Sequence, residues 1–406
     1  MATQSSANDQ RTPQDIQSSQ SLVLDLPPSC LEFCPADPRY FVVGTYYLEN
    51  PEGASKVAED LAENGDKTSH PEKKPQHRRG SLVLFRLQDD QMILVDTVHT
   101  SSAVLDLHFS PHQPSLLAIG TSTSSISLYE LKSTAESAAL VHIKTMQSFP
   151  TSLLVLALAF HPVYPDVVGA SLSNGEIAFV RLESSQSLST TSGEPAYEDF
   201  TPHSLEAWTL AFSRDGRAVF SGGDDSILNF KELAGEDGSE ITGSTWSDRK
   251  THGAGVTAIL PLPTTRTASK EILLTGSYDD HVRVYDTGKG PGRPAQCVVA
   301  EMNLGGGVWR LKLLRDYSEQ QTGLTRVRVL ASCMHAGVRI LEVSQHTDES
   351  WTIEVLARFE EHESMNYGSD VQPPLPGVKA DDQAITCVTS SFYDRLLCLW
   401  KYEDEQ

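Results

Sequence analysis

Between Ile272 and Asp286 the chain reads Ile-Leu-Leu-Thr-Gly-Ser-Tyr-Asp-Asp-His-Val-Arg-Val-Tyr-Asp. Two apolar runs flank a turn of small and acidic residues, and in the second run Val282, Val284 and Asp286 alternate with His281, Arg283 and Tyr285. Alternation with period two is the mark of a strand whose faces meet different surroundings, so the segment predicts a hairpin. The same succession recurs along the chain: an apolar strand, a short turn, a second strand ending in small residues, a tight turn, a third strand and a looser fourth. Asn174, Asp224, Asp279, His335 and Asp394 fall at one phase of it, at intervals of 50, 55, 56 and 59 residues. Each stands six residues before an interior position of the next strand, which is aromatic at Phe230, Tyr285 and Trp400. A recurrence of about 50 residues built from short strands marks a repeat array of small sheets.

Read in register, the chain holds seven units. They start near Leu31, Ala103, Leu153, Leu205, His252, Val308 and Tyr367, and the last ends at Tyr402. The copy from His252 to Asp286 resembles the WD-repeat pattern, with its Gly/His opening, Thr-Gly-Ser strand end, Asp turn and aromatic-Asp finish. The predicted fold is all-β, a seven-bladed propeller, an architecture that leaves few free sheet edges. The seventh unit has only three good strands, and Ser21 to Leu26 supply the natural fourth, so an N-terminal strand is expected to close the ring. Residues 1–19 read as a disordered N-terminus and 20–406 as a single propeller. An insert at about 50–79, almost without aromatics, reads as disordered.

Composition narrows the classes of partner. A formal charge of −22 over 406 residues argues against nucleic acid or an anionic membrane surface as the primary partner. The cysteines at 30, 34, 297, 333, 387 and 398 form no CxxC pair and read as reduced thiols packed in a cytoplasmic protein. No window approaches a membrane span, and no secretory leader is apparent. A soluble monomer is expected.

In a propeller of this kind, the loops from second to third strand and those joining successive blades open on one face. They collect Asp224, Asp225, Tyr278, Asp279, Asp280, His281, Cys333, His335, Tyr393 and Asp394 with Glu206, Trp208, His252, Trp309, His362 and Tyr367. Asp224, Asp279, Asp394 and His252 fit the buried hydrogen-bond tetrad of ordinary repeats. Asp225 and Asp280 lie one residue beyond and stand out as functional candidates. Cys333 and His335, two apart on a strand, would share a face and form either a nucleophile and base or a packed thiol beside a free imidazole. The glycines at 305–307 permit a tight crossing or offer amides to an oxyanion. The scattered histidines lack metal-ligand spacing, so no metal is expected. Nucleophile elbow, P-loop and dinucleotide fingerprints are missing from the sequence.

Gly-Gly-Asp-Asp at 222–225, Thr-Gly-Ser-Tyr-Asp-Asp-His-Val at 275–282, Gly-Gly-Val-Trp-Arg at 306–310, Cys-Met-His-Ala-Gly at 333–337 and Ser-Phe-Tyr-Asp at 391–394 together resemble one WD-repeat family. It is the diphthine methyl ester esterase family of diphthamide biosynthesis, and the resemblance spans residues 20–402. It implies a carboxylic ester hydrolase that removes a methyl ester from methylated diphthine, on the modified histidine of elongation factor 2, without a cofactor. The alternative is a non-catalytic adaptor that grips a peptide at the same mouth. Under the resemblance, Trp208, Tyr278, Trp309, Tyr367, Glu206, His252 and His362 would hold the trimethylammonium-bearing side chain. His335 would act as base, with Asp225, Asp280 and His281 nearby, Tyr393 beside the oxyanion, and Cys333 or Ser391 as a covalent variant.

Overall fold

The computed structural model describes residues 12–49, 78–134, 137–182, 197–233, 245–264, 271–289, 297–318, 322–377 and 384–403. The period-two runs become strands, and the strands form seven sheets arranged as the blades of a β-propeller. The innermost strand of each blade is Pro28–Phe33, Val104–Phe109, Val155–Phe160, Ala207–Phe212, Val256–Pro261, Arg310–Asp316 or Asn366–Val371. Residues from all seven line one central cavity of about 470 Å³.

Apolar side chains pack between blades rather than within one. Leu274 and Val284 of blade five meet Val308, Val329 and Leu341 of blade six, and Phe33, Phe41 and Phe85 of blade one meet Val388 and Leu399 of blade seven. Stacked rings join other pairs. Trp246 lies 5.9 Å from Tyr285, and Phe359 lies 5.2 Å from Trp400, each pair nearly parallel. Offset aromatic stacks of this kind add about 0.5–1.5 kcal/mol to the area they bury.

The ring closes through the N-terminal segment. Gln20–Val23 pairs antiparallel with Leu396–Tyr402, with Ser21 opposite Cys398, and so becomes the fourth strand of blade seven. A second strand, Gln14–Ile16, runs parallel to Trp351–Phe359 at the outer edge of blade six. The stretch expected to be disordered over 1–19 is therefore ordered from Gln14, because Ile16 buries itself among Phe359, Trp400 and Tyr402. Of the insert at 50–79, Arg78 and Arg79 begin the strand Arg78–Gln88 and the rest lies outside the described residues.

Strand register corrects the phase of one marker. The end of the second strand is Gly223 in blade four, Ser277 in blade five and Ser391 in blade seven, facing Ala207, Val256 and Asn366. Counting two residues on places Asp225 and Asp279 in phase, one residue away from the expected Asp224; the turn of blade seven is one residue longer, and its Asp394, three residues on, accepts the Glu363 amide as Asp279 accepts that of Gly253. Phe230 moves with it: Lys231 faces Val219 where Tyr285 faces Leu273.

Candidate functional site

Six of the seven inner strands open with a one-residue bulge after their first residue. A bulge turns its extra side chain out of the regular alternation. The bulged residue is Trp208 in blade four and Tyr367 in blade seven. Trp309 takes the corresponding place in blade six, just before Arg310, which faces Ser332. The second-strand turns add Asp224 and Tyr278, each one residue before the tetrad carboxylate, and Phe392, two residues before Asp394.

These residues converge. Trp208 and Trp309 have ring centroids 5.7 Å apart, and Tyr278 lies 6.3 Å from the first and 6.0 Å from the second. Tyr367 continues the series 5.0 Å from Trp309, followed by Phe392 at 5.7 Å. Tyr46 and Tyr393 flank Phe392 at 6.0 and 5.1 Å. The run crosses blades four to seven and reaches blade one. All but Tyr393, which is 70% exposed, are half-buried. Trp208 donates its indole N–H to Asp224 at 3.0 Å, which holds that carboxylate against the rings. Burial raises the Tyr278 phenol, and Tyr367, Asp224 and Glu206 reinforce the rise, so both carboxylates bear on the same corner. The buried indole N–H of Trp309 has no acceptor among the described residues.

Other expected site residues hold blades together. Asp225 accepts from His203 Nδ1 at 2.9 Å and from the Ser204 amide at 3.0 Å, while His203 Nε2 meets Ser221 at 2.9 Å. This is the tetrad of blade four, so Asp225 is a structural carboxylate. His252 is buried against Thr275 at 3.0 Å and His362 against Thr389 at 2.8 Å, each on the side of its ring away from a free Nδ1. Burial lowers both imidazoles to about 4. Neither belongs to a binding surface as expected. His281 turns Nδ1 to the Asp279 carbonyl at 2.6 Å, within its own turn. Asp280 occupies a left-handed position, φ +65°, and its carbonyl accepts the Leu304 amide.

Cys333 and His335 do not share a face. The strand ends at Ser332, Met334 takes φ +44°, and the turn leaves Cys333 buried and His335 exposed. Burial pushes the Cys333 thiol up to about 12, and no described residue pairs with the imidazole of His335. The expected dyad is absent, as is the carboxylate expected to orient His335. All six cysteines are buried thiols outside any disulfide. Blade six differs from its neighbours at every tetrad position: Leu304, Ala331 and His335 stand where blade five has His252, Thr275 and Asp279. The glycines serve the crossing, because a Cβ on Gly306 would collide with the Cys333 carbonyl and Gly305 takes φ +87°.

Beneath the mouth lies a belt of charges that the loop-centred reading missed. Arg310 Nη2 reaches Asp106 Oδ1 at 2.7 Å, His108 lies 3.3 Å from both Asp106 and Glu32, and Lys312 bridges Glu32 at 3.1 Å and Asp370 at 3.0 Å. Burial opposes charge on Glu32, but Lys312 and His108 overcome it and bring the carboxyl to about 2. Burial likewise opposes charge on His108, and Asp106 and Glu32 outweigh it, lifting the imidazole to about 10. His108 and Lys312 keep 35% and 42% of their side chains open to the cavity, so water there screens these pairs. The signal was present as polar residues on alternate positions of apolar strands: Asp106 and His108, Arg310 and Lys312. Among the described residues no cluster of His, Cys, Asp or Glu is placed to hold a metal, and no helix is long and apolar enough to cross a membrane.

Comparison with known proteins adds a lineage to this geometry. A family described as "WD domain, G-beta repeat" matches residues 193–230 and 243–286. The chain is 32% identical over 327 residues to a Schizosaccharomyces pombe protein named diphthine methyltransferase, covering 80% of this chain and 86% of that protein. Proteins of the same name from Saccharomyces cerevisiae and Homo sapiens are 27% and 28% identical, covering 92% and 86% of this chain and 95% and 74% of theirs. A solved chain of the mitotic checkpoint complex superposes with a TM-score of 0.59 at 14% identity, over 100% of this chain and 96% of its own, which speaks for the fold alone. These names overturn the expected reaction. A methyltransferase adds the group that an ester hydrolase would remove, so hydrolytic demethylation and the carboxylic ester hydrolase class are not supported, and the non-catalytic adaptor is not favoured either.

Proposed function

The chain belongs to the diphthine methyltransferase family, and from that premise we propose that its mouth grips the diphthine side chain of elongation factor 2 and acts in the methyl-group chemistry for which the family is named. The observation that supports this reading is the ring series Trp208, Tyr278, Trp309 and Tyr367 beside Asp224 and Glu206. A quaternary ammonium has no N–H to donate. It is held by the negative faces of aromatic rings and by carboxylates close by, an attraction worth about 0.5–2 kcal/mol per ring according to how dry the site is. Tyr393 and His335, exposed at the same rim, are the proposed contacts to the protein around that side chain.

Methyl transfer calls for a donor. Among the described residues the single helical turn is Thr287–Lys289, and no glycine-rich turn leads from a strand into a helix. The residues present therefore do not fit a nucleoside-type donor cradle of that kind, and no step is derived through a donor.

The test is mass spectrometry of diphthine-bearing elongation factor 2 incubated with the purified chain, with and without a methyl donor, counting methyl groups on the modified histidine. A changed count with the wild type, lost in a folded Trp309→Ala variant, is expected; methyl gain is the direction the family name carries. An unchanged count under both conditions would overturn the reading.

A further inference from the structure

The aromatic mouth accounts for a cation, yet a trimethylammonium carboxylate such as diphthine also carries an anionic end. Glu206 and Asp224 make the rim itself unfit for it. Arg310 directly follows Trp309, so their Cα atoms are about 3.8 Å apart, and it lines the central cavity together with Tyr367. We propose that Arg310 receives the carboxylate of the zwitterionic side chain, so that the mouth reads both charges of its ligand. This rests on the reading of the mouth given above.

Spare donor capacity distinguishes Arg310 from the other cations of the belt. His108 has each ring nitrogen set against a carboxylate, and Lys312 is shared between Glu32 and Asp370. Arg310 gives one N–H to Asp106, and its other N–H groups meet no acceptor among the described residues. A guanidinium has five donors in a planar fork matched to a carboxylate. Its side chain is 26% exposed, while Asp106 is 2% exposed and fixed by the Leu158 amide at 2.8 Å. Asp106 thus orients the fork and leaves part of it facing the cavity. The ligand class that fits is a quaternary ammonium with a carboxylate one carbon away.

Tryptophan fluorescence titrations with three small probes test this, since Trp208 and Trp309 report on the mouth. Glycine betaine carries both charges, choline carries the cation and a hydroxyl, and betaine methyl ester carries the cation and an uncharged ester. The wild type is expected to bind betaine about tenfold tighter than either of the others, the advantage of a charge-assisted hydrogen bond. Arg310→Met should bring betaine down to the affinity of choline and leave choline unchanged, with a melting curve establishing that the variant is folded. Equal binding of all three probes by the wild type overturns the role of Arg310 while leaving the aromatic mouth intact. If none of the probes binds, the mouth reading itself fails and takes the inference with it. Because the wild-type comparison decides by itself, an unfolded Arg310→Met protein does not shelter the proposal.

Discussion

Arg310 in blade six and Asp106 in blade two meet across the central channel, Nη2 to Oδ1 at 2.7 Å, and so floor the mouth with an ion pair. The carboxylate is nearly enclosed, and burial works against its charge until Arg310 and His108 overcome it. Removing the guanidinium leaves a buried anion with fewer partners. Arg310→Met is expected to lose about 1–3 kcal/mol of stability, with Asp106→Asn in the same chain recovering part of the loss. Urea unfolding of the two single variants and the double variant forms a cycle. Strictly additive energies would show that the two groups do not support each other.

A second expectation concerns acid. His252 and His362 sit at about 4 in the fold against a usual 6.5, because burial disfavours their charged form. The unfolded chain therefore takes up these protons first. Their contribution is whole above pH 6.5 and is lost as pH falls from 6.5 towards 4, by up to about 3 kcal/mol per ring. His108 has the opposite sign: lifted to about 10, it contributes fully below 6.5 and its contribution fades as pH rises from there through 10. Melting temperatures across this range should slope downward on the acid side, and a double variant His252→Gln, His362→Gln should flatten that slope.

Blade six offers a third. His335 is exposed and without a partner among the described residues, so His335→Ala should leave stability within about 0.5 kcal/mol of the wild type. Leu304→His should cost about 1–3 kcal/mol, because the new imidazole is buried beside Ala331 with no hydroxyl to meet. Adding Ala331→Thr and His335→Asp rebuilds the set found in blade five and should restore most of that loss. Calorimetry that finds no recovery in the triple variant would show that blade six cannot house the tetrad.

The two N-terminal strands give the fourth. Deleting residues 12–26 strips the outer edges of blades six and seven and removes Ile16 and Leu24 from their clusters. Melting should fall by several degrees at least. An unchanged melting curve would mean that the ring closes without them.

Much of this was visible in the residues themselves. Seven units, a closing N-terminal strand, expected at Ser21–Leu26 and found at Gln20–Val23, and the convergence of Trp208, Tyr278, Trp309 and Tyr367 on one mouth follow from period-two alternation and recurrence. Asp224 and Asp225 were exchanged because adjacent aspartates offer no internal clue to which one faces the blade; only strand pairing decides. Cys333 and His335 were placed on one strand because nothing in Cys-Met-His announces the left-handed turn at Met334. The charged belt went unnoticed for another reason. Its members come from four blades, as far apart in sequence as Glu32 and Asp370, and local patterns carry no record of distant partners.

The bulge at the head of six inner strands has a consequence for how such a protein changes. It sets one side chain per blade free of the ladder, and these are Ser29, Leu105, Leu156, Trp208, Thr257 and Tyr367, with Trp309 in the matching place. Ring closure depends on their neighbours, so these seven letters can be rewritten one at a time while the scaffold stands. Here Trp208, Trp309 and Tyr367 stand in blades four, six and seven with Thr257 between the first two, and Ser29, Leu105 and Leu156 occupy blades one to three. A sevenfold frame thus presents a lopsided face, its large side chains set on one side of the axis.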